Sequence, residues 1–151
     1  MTMRKVAMGA FLLCMACAAN PIQLKAEDTA RFNEIAWTVR SIILEKDGKA
    51  LADHVHRGVY INDGLWKKEE VARKVKDTRS DLYDLLYSGK TSFRQFFLDA
   101  TDLEVVLDGD GDLRSIYYRS QSSQRTIQPS ISVLLKGGMW YITNLEHVSD
   151  K

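Results

Sequence analysis

The hydrophobic period of the chain changes from about 3.6 residues in its first half to two residues in its second half. From Phe32 to Lys46, apolar residues recur at the i, i+3, i+4, i+7 spacing that lines one face of a helix. Asp28 or Thr29 is expected to cap this helix at its start, and Gly48 is expected to end it. The apolar face must be buried against another layer. It consists of Phe32, Ile35, Ala36, Val39, Ile42 and Ile43.

Alternating apolar and polar residues in the second half predict strands. The Gly137-Gly138 pair between the last two segments is typical of a hairpin turn. Helices followed by such strands predict an α+β domain, in which N-terminal helices pack on one face of a curved antiparallel sheet of three to five strands. The alternating segments are Leu103–Leu107, Leu113–Arg119, Ile131–Leu135 and Met139–Thr143.

Shorter elements are expected between these two regions. A strand over Gly58–Ile61 would end at the turn residues Asn62-Asp63-Gly64. Ser80 and Ser92 are each placed to cap a short helix. The helical segments expected here are a turn at Ala50–His54 and helices at Lys67–Val75, Asp81–Tyr87 and Phe93–Leu98.

The N-terminus has the features of a cleavable secretory signal. Arg4 and Lys5 precede an uncharged run that is typical of a signal peptide and shorter than the roughly 20 residues needed to span a bilayer. Small residues around Cys17 suit cleavage before Ala19. An uncleaved membrane anchor is the alternative. We expect a signal peptide at residues 1–18, a leader at 19–26 and one α+β domain at 27–148, located in the periplasm or secreted.

Cys17 opens a second possibility for the same segment. Met15-Ala16-Cys17 is similar to the lipobox of bacterial lipoproteins, although Cys14 stands where a leucine is usual. In that case the signal would be residues 1–16, and acyl chains on Cys17 would provide the contact with a membrane. Both cysteines of the chain lie in this segment. The exported domain would therefore have no disulfide and would depend on an ordinary hydrophobic core.

The charge balance argues against a nucleic-acid partner. The chain has 21 Lys and Arg residues against 20 Asp and Glu. Removal of the signal, which contains Arg4 and Lys5, leaves 19 basic and 20 acidic residues, a net charge of −1. No basic stripe that could follow a phosphate backbone is present in the sequence.

The order of elements resembles a known superfamily. A long first helix, short helices and strands that end in Gly-Gly-Met-Trp-Tyr-Ile-Thr-Asn (137–144) resemble the cystatin-like α+β cone of ketosteroid-isomerase-like and nuclear-transport-factor-like proteins. The resemblance covers most of the predicted domain and implies the fold. It implies no activity, because many members are non-catalytic and no catalytic position matches. The segment Val55–Tyr60 is also similar to a Val-His-x-x-Gly-Val stretch of uncharacterised exported bacterial proteins, with a gap one residue shorter.

Two groups of residues are candidates for metal sites. Asp108, Asp110 and Asp112 have the spacing of the first ligands of an EF-hand, but Leu113 stands at position 6, where glycine is needed, and Arg119 at position 12. A hairpin turn explains the same residues. His54 and His56 could share a site only on an extended segment, with His147 approaching through the fold. We therefore predict no metal and no cofactor.

Catalysis in a cone-shaped fold would need a carboxylate or histidine in an apolar cavity, with its pKa shifted by burial. Asp53, His56, Asp99 and Asp102 are the nearest candidates, and spacing selects none of them. The sequence contains no GxSxG, no HExxH and no Gly-rich phosphate loop. We therefore predict no catalytic residue.

Aromatic residues are the better candidates for binding. Adjacent residues of a strand face opposite sides of the sheet, so one of Tyr117 and Tyr118 should face away from the core. The same holds for Trp140 and Tyr141. The candidate ligand-binding residues are His56, Tyr60, Tyr117, Tyr118 and Trp140.

These observations favour an exported domain of the cell envelope that binds a small apolar ligand or a protein partner without catalysis. The alternative is a small ketosteroid-isomerase-like enzyme that uses a carboxylate or histidine in a sheet-lined pocket. A homodimer is a further possibility for the assembly. A buried carboxylate with a shifted pKa would favour the enzyme, and an exposed aromatic sheet face would favour binding.

Overall fold

Residues 21–122 and 127–149 are described by a computed structural model. Its helices are α1 (Pro21–Leu44), α2 (Gly48–Asp53), α3 (Lys68–Lys74), α4 (Asp81–Tyr83, continued by a π-helical turn over Asp84–Ser88) and α5 (Phe93–Asp99). Its strands are β1 (Gly58–Ile61), β2 (Gly64–Lys67), β3 (Glu104–Asp108), β4 (Leu113–Arg119), β5 (Ile127–Lys136) and β6 (Met139–Ser149). The predicted signal and Cys17 lie outside the described residues. Within the described ranges, no helix is long and apolar enough to span a membrane.

The strands form one six-stranded sheet with the order β2-β1-β6-β5-β4-β3. Strands β3 to β6 form an antiparallel meander, and β1 joins β6 in parallel through Tyr60 opposite Asn144. The predicted α+β class is confirmed. The expected count of three to five strands and the purely antiparallel pairing are wrong.

The additional strand is β2, which forms a hairpin with β1. Asn62 and Asp63 have φ angles of 46° and 67°, so they provide the two left-handed residues of a two-residue turn between paired Ile61 and Gly64. From the sequence, Asn62 and Asp63 are expected to end a strand, with no partner strand after them. The segment after them is only four residues long, which gives too few positions for a clear alternation.

The apolar face of α1 is buried as its spacing predicts. Phe32, Ala36, Val39 and Ile43 have no exposed surface. The helix begins earlier than expected, at Pro21, within the predicted leader and ahead of Asp28 and Thr29.

Gly48 does not end α1. The helix stops at Leu44 and Lys46 takes the left-handed conformation, with φ of 57°. Gly48 instead opens α2, whose first turn is capped by the carboxylate of Asp47, which accepts a hydrogen bond from the backbone N–H of Ala50 at 2.9 Å. A Cβ atom at position 48 would lie 2.7 Å from Cγ2 of Val75. Close packing, rather than helix termination, therefore explains this glycine.

The two predicted serine caps are confirmed. The hydroxyl of Ser80 accepts a hydrogen bond from the N–H of Tyr83 at 3.0 Å, and that of Ser92 from the N–H of Gln95 at 3.2 Å. Each satisfies an N–H group that the first turn of a helix leaves unpaired. These caps fix the starts of α4 and α5. Helix α5 packs against β5, and α1 packs against β3 and β4.

Large side chains pack between the helices and the sheet. Tyr118 of β4 is fully buried, and its hydroxyl donates a hydrogen bond to the carbonyl oxygen of Ala36 in α1 at 2.7 Å. The ring of Phe97 in α5 packs edge-on against it, with ring centroids 4.8 Å apart. Ile116, Ile131 and Ile142, which also have no exposed surface, complete this layer. We call this side of the sheet the inner face.

Candidate functional site: a groove on the outer face of the sheet

The sheet has a second face, turned away from the helices, which we call the outer face. Strand β4 shows the division most simply, because buried and more exposed residues alternate along it. Arg114, Ile116 and Tyr118 lie on the inner face. Leu113 and Tyr117 lie on the outer face, where Leu113 is 53% exposed. No layer of the described residues therefore covers these large apolar side chains.

A groove of about 490 Å³ crosses the outer face over four adjacent strands, β1, β6, β5 and β4. A volume of this order is typical of sites for small molecules. The groove is lined by Tyr60, Asp63, Leu113, Ser132, Leu134, Thr143, Asn144 and Glu146.

A β-bulge in β6 shapes the middle of this groove. Ser132 pairs with Asn144, whereas the next residue, Val133, pairs with Ile142, so Thr143 is the extra residue. Its hydroxyl donates a hydrogen bond to the carbonyl oxygen of Ser132 at 3.2 Å. Neighbours on a regular strand face opposite ways. The bulge allows Thr143 and Asn144 to line the same groove.

The walls of the groove are apolar and its floor can form hydrogen bonds. Tyr60 and Leu113 are each 53% exposed, and Leu134 lies beside Leu113 in the register. On the floor, the hydroxyl of Ser132 lies 3.2 Å from that of Ser115. The amide of Asn144 has no hydrogen-bond partner within residues 21–122 and 127–149. Such a mixture suits a ligand with an apolar body and at least one polar group.

The charged residues of the lining are both acidic, Asp63 and Glu146. The turn between β1 and β2 places Asp63, and the outer face of β6 places Glu146 opposite Ser130. The ion pair found in the described part of the chain joins Lys49 to Asp53, so neither groove carboxylate is neutralised by a described residue. The groove therefore carries negative charge.

The predicted binding residues are distributed over both faces. Tyr60 lines the groove, and Tyr117 lies on the same outer face without lining it. Tyr118 is buried on the inner face. Trp140 packs against the core and stacks on the ring of His54, with centroids 3.4 Å apart. His56 is exposed beside Tyr141, with centroids 4.8 Å apart.

The acidic acid–base candidates all lie at exposed positions. The hydrogen bond from Lys49 lowers the pKa of Asp53. Hydrogen bonds from the hydroxyls of Ser120 and Ser122 hold the pKa of Asp102 far below its usual range. Asp99 accepts a hydrogen bond from the amide of Gln95 at 2.8 Å. The buried residues that the structure describes include no Asp or Glu.

The Asp-Gly repeat forms the turn between β3 and β4. Gly109 and Gly111 have φ angles of 90° and 66°, which explains the two glycines. In the described ranges, no three His, Cys, Asp or Glu side chains come together in a way that could hold a metal ion.

His147 is an unusual group on the inner face that sequence analysis did not separate from the other histidines. Its Nε2 is buried and has no hydrogen-bond partner among the described residues, and its ring lies 5.0 Å from that of Phe93. Burial lowers the pKa of this imidazole. It does not line the groove.

Most of the groove residues were missed by sequence analysis. An outward position for Leu113 could have been inferred, because it alternates with Arg114, Ile116 and Tyr118. Thr143, Asn144 and Glu146 gave no such signal, since the bulge interrupts the alternation of β6.

Comparisons with known proteins give distant structural likenesses. No family model and no curated protein matches the chain. An NTF2-like protein of unknown function from Silicibacter pomeroyi is 14% identical, with 83% of this chain and 98% of that chain covered and a TM-score of 0.48. An NTF2-like protein from Cytophaga hutchinsonii is 13% identical, with 81% and 98% covered and a TM-score of 0.49. One with a cystatin-like fold from Novosphingobium aromaticivorans is 12% identical, with 87% and 91% covered and a TM-score of 0.44.

The chain has an α+β fold. Helices pack on one face of a six-stranded mixed sheet, in the order of elements that the sequence predicts. Such a fold does not identify a function, so the function has to be argued from the groove.

Proposed function

We propose that the chain is a non-catalytic binding module whose ligand or protein partner occupies the outer-face groove. The observation that carries this proposal is the groove itself, in which exposed apolar side chains border unpartnered polar groups. Burying a fully exposed leucine side chain contributes about 1.5–3 kcal/mol, and roughly half of this can still be gained at Leu113, which is 53% exposed. An occupant that covers Leu113 and Tyr60 would therefore gain a useful part of its binding free energy from these two residues.

The lack of a buried carboxylate among the described residues of the inner face favours binding over a carboxylate-based enzyme. An enzyme of the ketosteroid-isomerase-like kind would need an acid or base in a cavity between the sheet and the helices. In the described residues that space contains Tyr118, Phe97 and the surrounding isoleucines. The acidic candidates are exposed, and the pKa values of Asp53 and Asp102 are lowered, whereas burial would raise the pKa of a carboxylate that acts as a base.

The groove can be tested with a neutral apolar dye such as Nile red. We expect the dye to fluoresce more strongly with the wild-type protein, and we expect Leu113→Arg to abolish most of that increase. Leu98→Arg is the matched control, because Leu98 is also 53% exposed but lies on α5. Equal loss in both variants, or no increase with the wild-type protein, would contradict the proposal.

We also propose that this module works outside the cytoplasm, because of the signal features of residues 1–18. Mass spectrometry of the protein purified from its host would give the cleavage site, any lipid on Cys17 and any retained ligand. Membrane association that disappears in Cys17→Ser would support a lipid anchor. An unprocessed N-terminus would argue against export.

A further inference from the structure

The charge of the groove narrows the class of ligand. Resting on the proposed function, we infer that the groove binds a small amphiphilic cation, an ammonium group attached to an apolar body. Three features of the lining lead to this class: the sign of its charge, the position of an aromatic ring and the size of the apolar wall.

The first feature is electrostatic. Asp63 and Glu146 face the groove, and its lining contains no lysine, arginine or histidine among the described residues. A bound carboxylate or phosphate would meet two like charges, whereas an ammonium would meet two opposite ones. Because the groove is open to solvent, salt should screen this attraction.

The second feature is the ring of Tyr60, which lines the groove beside the turn that carries Asp63. The face of an aromatic ring attracts a cation, and the attraction is stronger where water is excluded. Tyr60 is 53% exposed and forms no ring contact with another described aromatic residue, so a ligand can reach part of its ring.

The third feature is the apolar wall formed by Leu113 and Leu134 on the neighbouring strands. These residues lie on β4 and β5, whereas Tyr60 and Asp63 lie at β1 and its turn, with β6 between. The groove thus has an acidic, aromatic end and an aliphatic end. A ligand with a charged head and an aliphatic tail matches this order.

The test uses three ligands of equal chain length: n-octylammonium, n-octyltrimethylammonium and n-octanoate. Isothermal titration calorimetry with the mature protein should show at least tenfold tighter binding of octylammonium than of octanoate. Added NaCl should reduce that preference. Octyltrimethylammonium has the same charge as octylammonium but no N–H group. If the two bind equally, the preference for cations comes from charge and from Tyr60. If octyltrimethylammonium binds more weakly, the preference comes from hydrogen bonds that the N–H groups donate.

Two neutral variants test the named carboxylates. Asp63→Asn tolerates the left-handed turn, and Glu146→Gln preserves the shape of the side chain. Each should reduce the preference for octylammonium roughly twofold to fivefold. Glu104→Gln is the control, because Glu104 is an exposed acid of the same sheet on β3, outside the groove. It should leave the preference unchanged.

The outcomes separate this inference from the proposed function. If octanoate binds as tightly as octylammonium and both are lost in Leu113→Arg, the groove binds ligands but the charge argument is wrong. If neither amphiphile binds and the dye also fails, the proposed function is wrong as well. A dimer that Leu113→Arg dissociates in sedimentation experiments would make a second copy the occupant and would overturn the inference.

Discussion

The same strands form both faces of the sheet, but the side chains on the two faces differ in burial. On the inner face, Ile116, Tyr118 and Ile131 are fully buried, and the hydroxyl of Tyr118 is held by α1. On the outer face, Leu65 is 63% exposed, and Tyr60 and Leu113 are each 53% exposed. No helix of the described residues covers these side chains.

The difference separates residues that stabilise the fold from residues that are free to bind. Close packing makes inner positions sensitive to the loss of a few atoms. Outer positions have fewer contacts, and substitution there is expected to change the free energy of unfolding little. Binding on the outer face could therefore be altered without loss of the fold.

The largest expected difference in the free energy of unfolding is between substitutions of two adjacent tyrosines that lie on opposite faces. Tyr118→Ala removes a fully buried ring and should destabilise the protein by about 3–5 kcal/mol. Tyr117→Ala, on the outer face, should cost about 1 kcal/mol. Urea denaturation followed by circular dichroism measures both.

If Tyr118→Ala does not fold, Tyr118→Phe provides the measurement. It removes only the hydrogen bond to Ala36 and should cost about 1 kcal/mol. A loss from Tyr117→Ala as large as that from Tyr118→Ala would show that the faces do not differ as described.

A smaller change in the free energy of unfolding is expected from protonation of His147 as the pH is lowered. Burial lowers the folded pKa of this imidazole below its unfolded value, so the unfolded state takes up a proton more readily. The contribution of neutral His147 to the free energy of unfolding should be fully present above about pH 6.5, near the unfolded pKa of histidine. It should be lost as the pH falls from that value towards the lower pKa of His147 in the folded protein.

Denaturation between pH 7.5 and 5.5 tests this expectation with a matched pair of variants. His147→Gln should flatten the pH dependence of the free energy of unfolding, and His56→Gln, at an exposed position, should not. The same slope in His147→Gln and in the wild-type protein would refute the role given to His147.

The smallest effect is expected at the turn between β1 and β2. Asp63 has a φ of 67°, and Asn-Gly is the preferred pair for such a turn. Asp63→Gly should therefore stabilise the protein by about 0.5 kcal/mol. The midpoint of urea denaturation measures it, and a destabilised variant would imply that the carboxylate has a structural role beyond the turn.

Local patterns made much of the fold predictable. The spacing of α1 identified its buried face, and Ser80 and Ser92 marked helix starts, because each signal lies within a few residues. The turn at Gly137 and Gly138 was also predictable, and both glycines have positive φ angles. Opposite sides for Tyr117 and Tyr118 followed from strand geometry.

The groove was not predictable in this way, because it depends on register between distant strands. Tyr60 meets Asn144 through a parallel pairing across 84 positions, and nothing local to either residue indicates it. Which tyrosine of the pair at 117 and 118 faces the core also depends on what packs there. Of the groove residues, only Tyr60 was among the predicted binding residues.

The bulge in β6 also affects how relatives of this chain can be recognised. Ile142 and Leu145 both have no exposed surface although three positions separate them, an odd interval that uninterrupted alternation does not allow. A search pattern with strict two-residue spacing would place one half of this strand out of phase. An alignment that permits a gap at Thr143 would keep both halves in phase, and distant relatives with a straight sixth strand should lack one residue at that point.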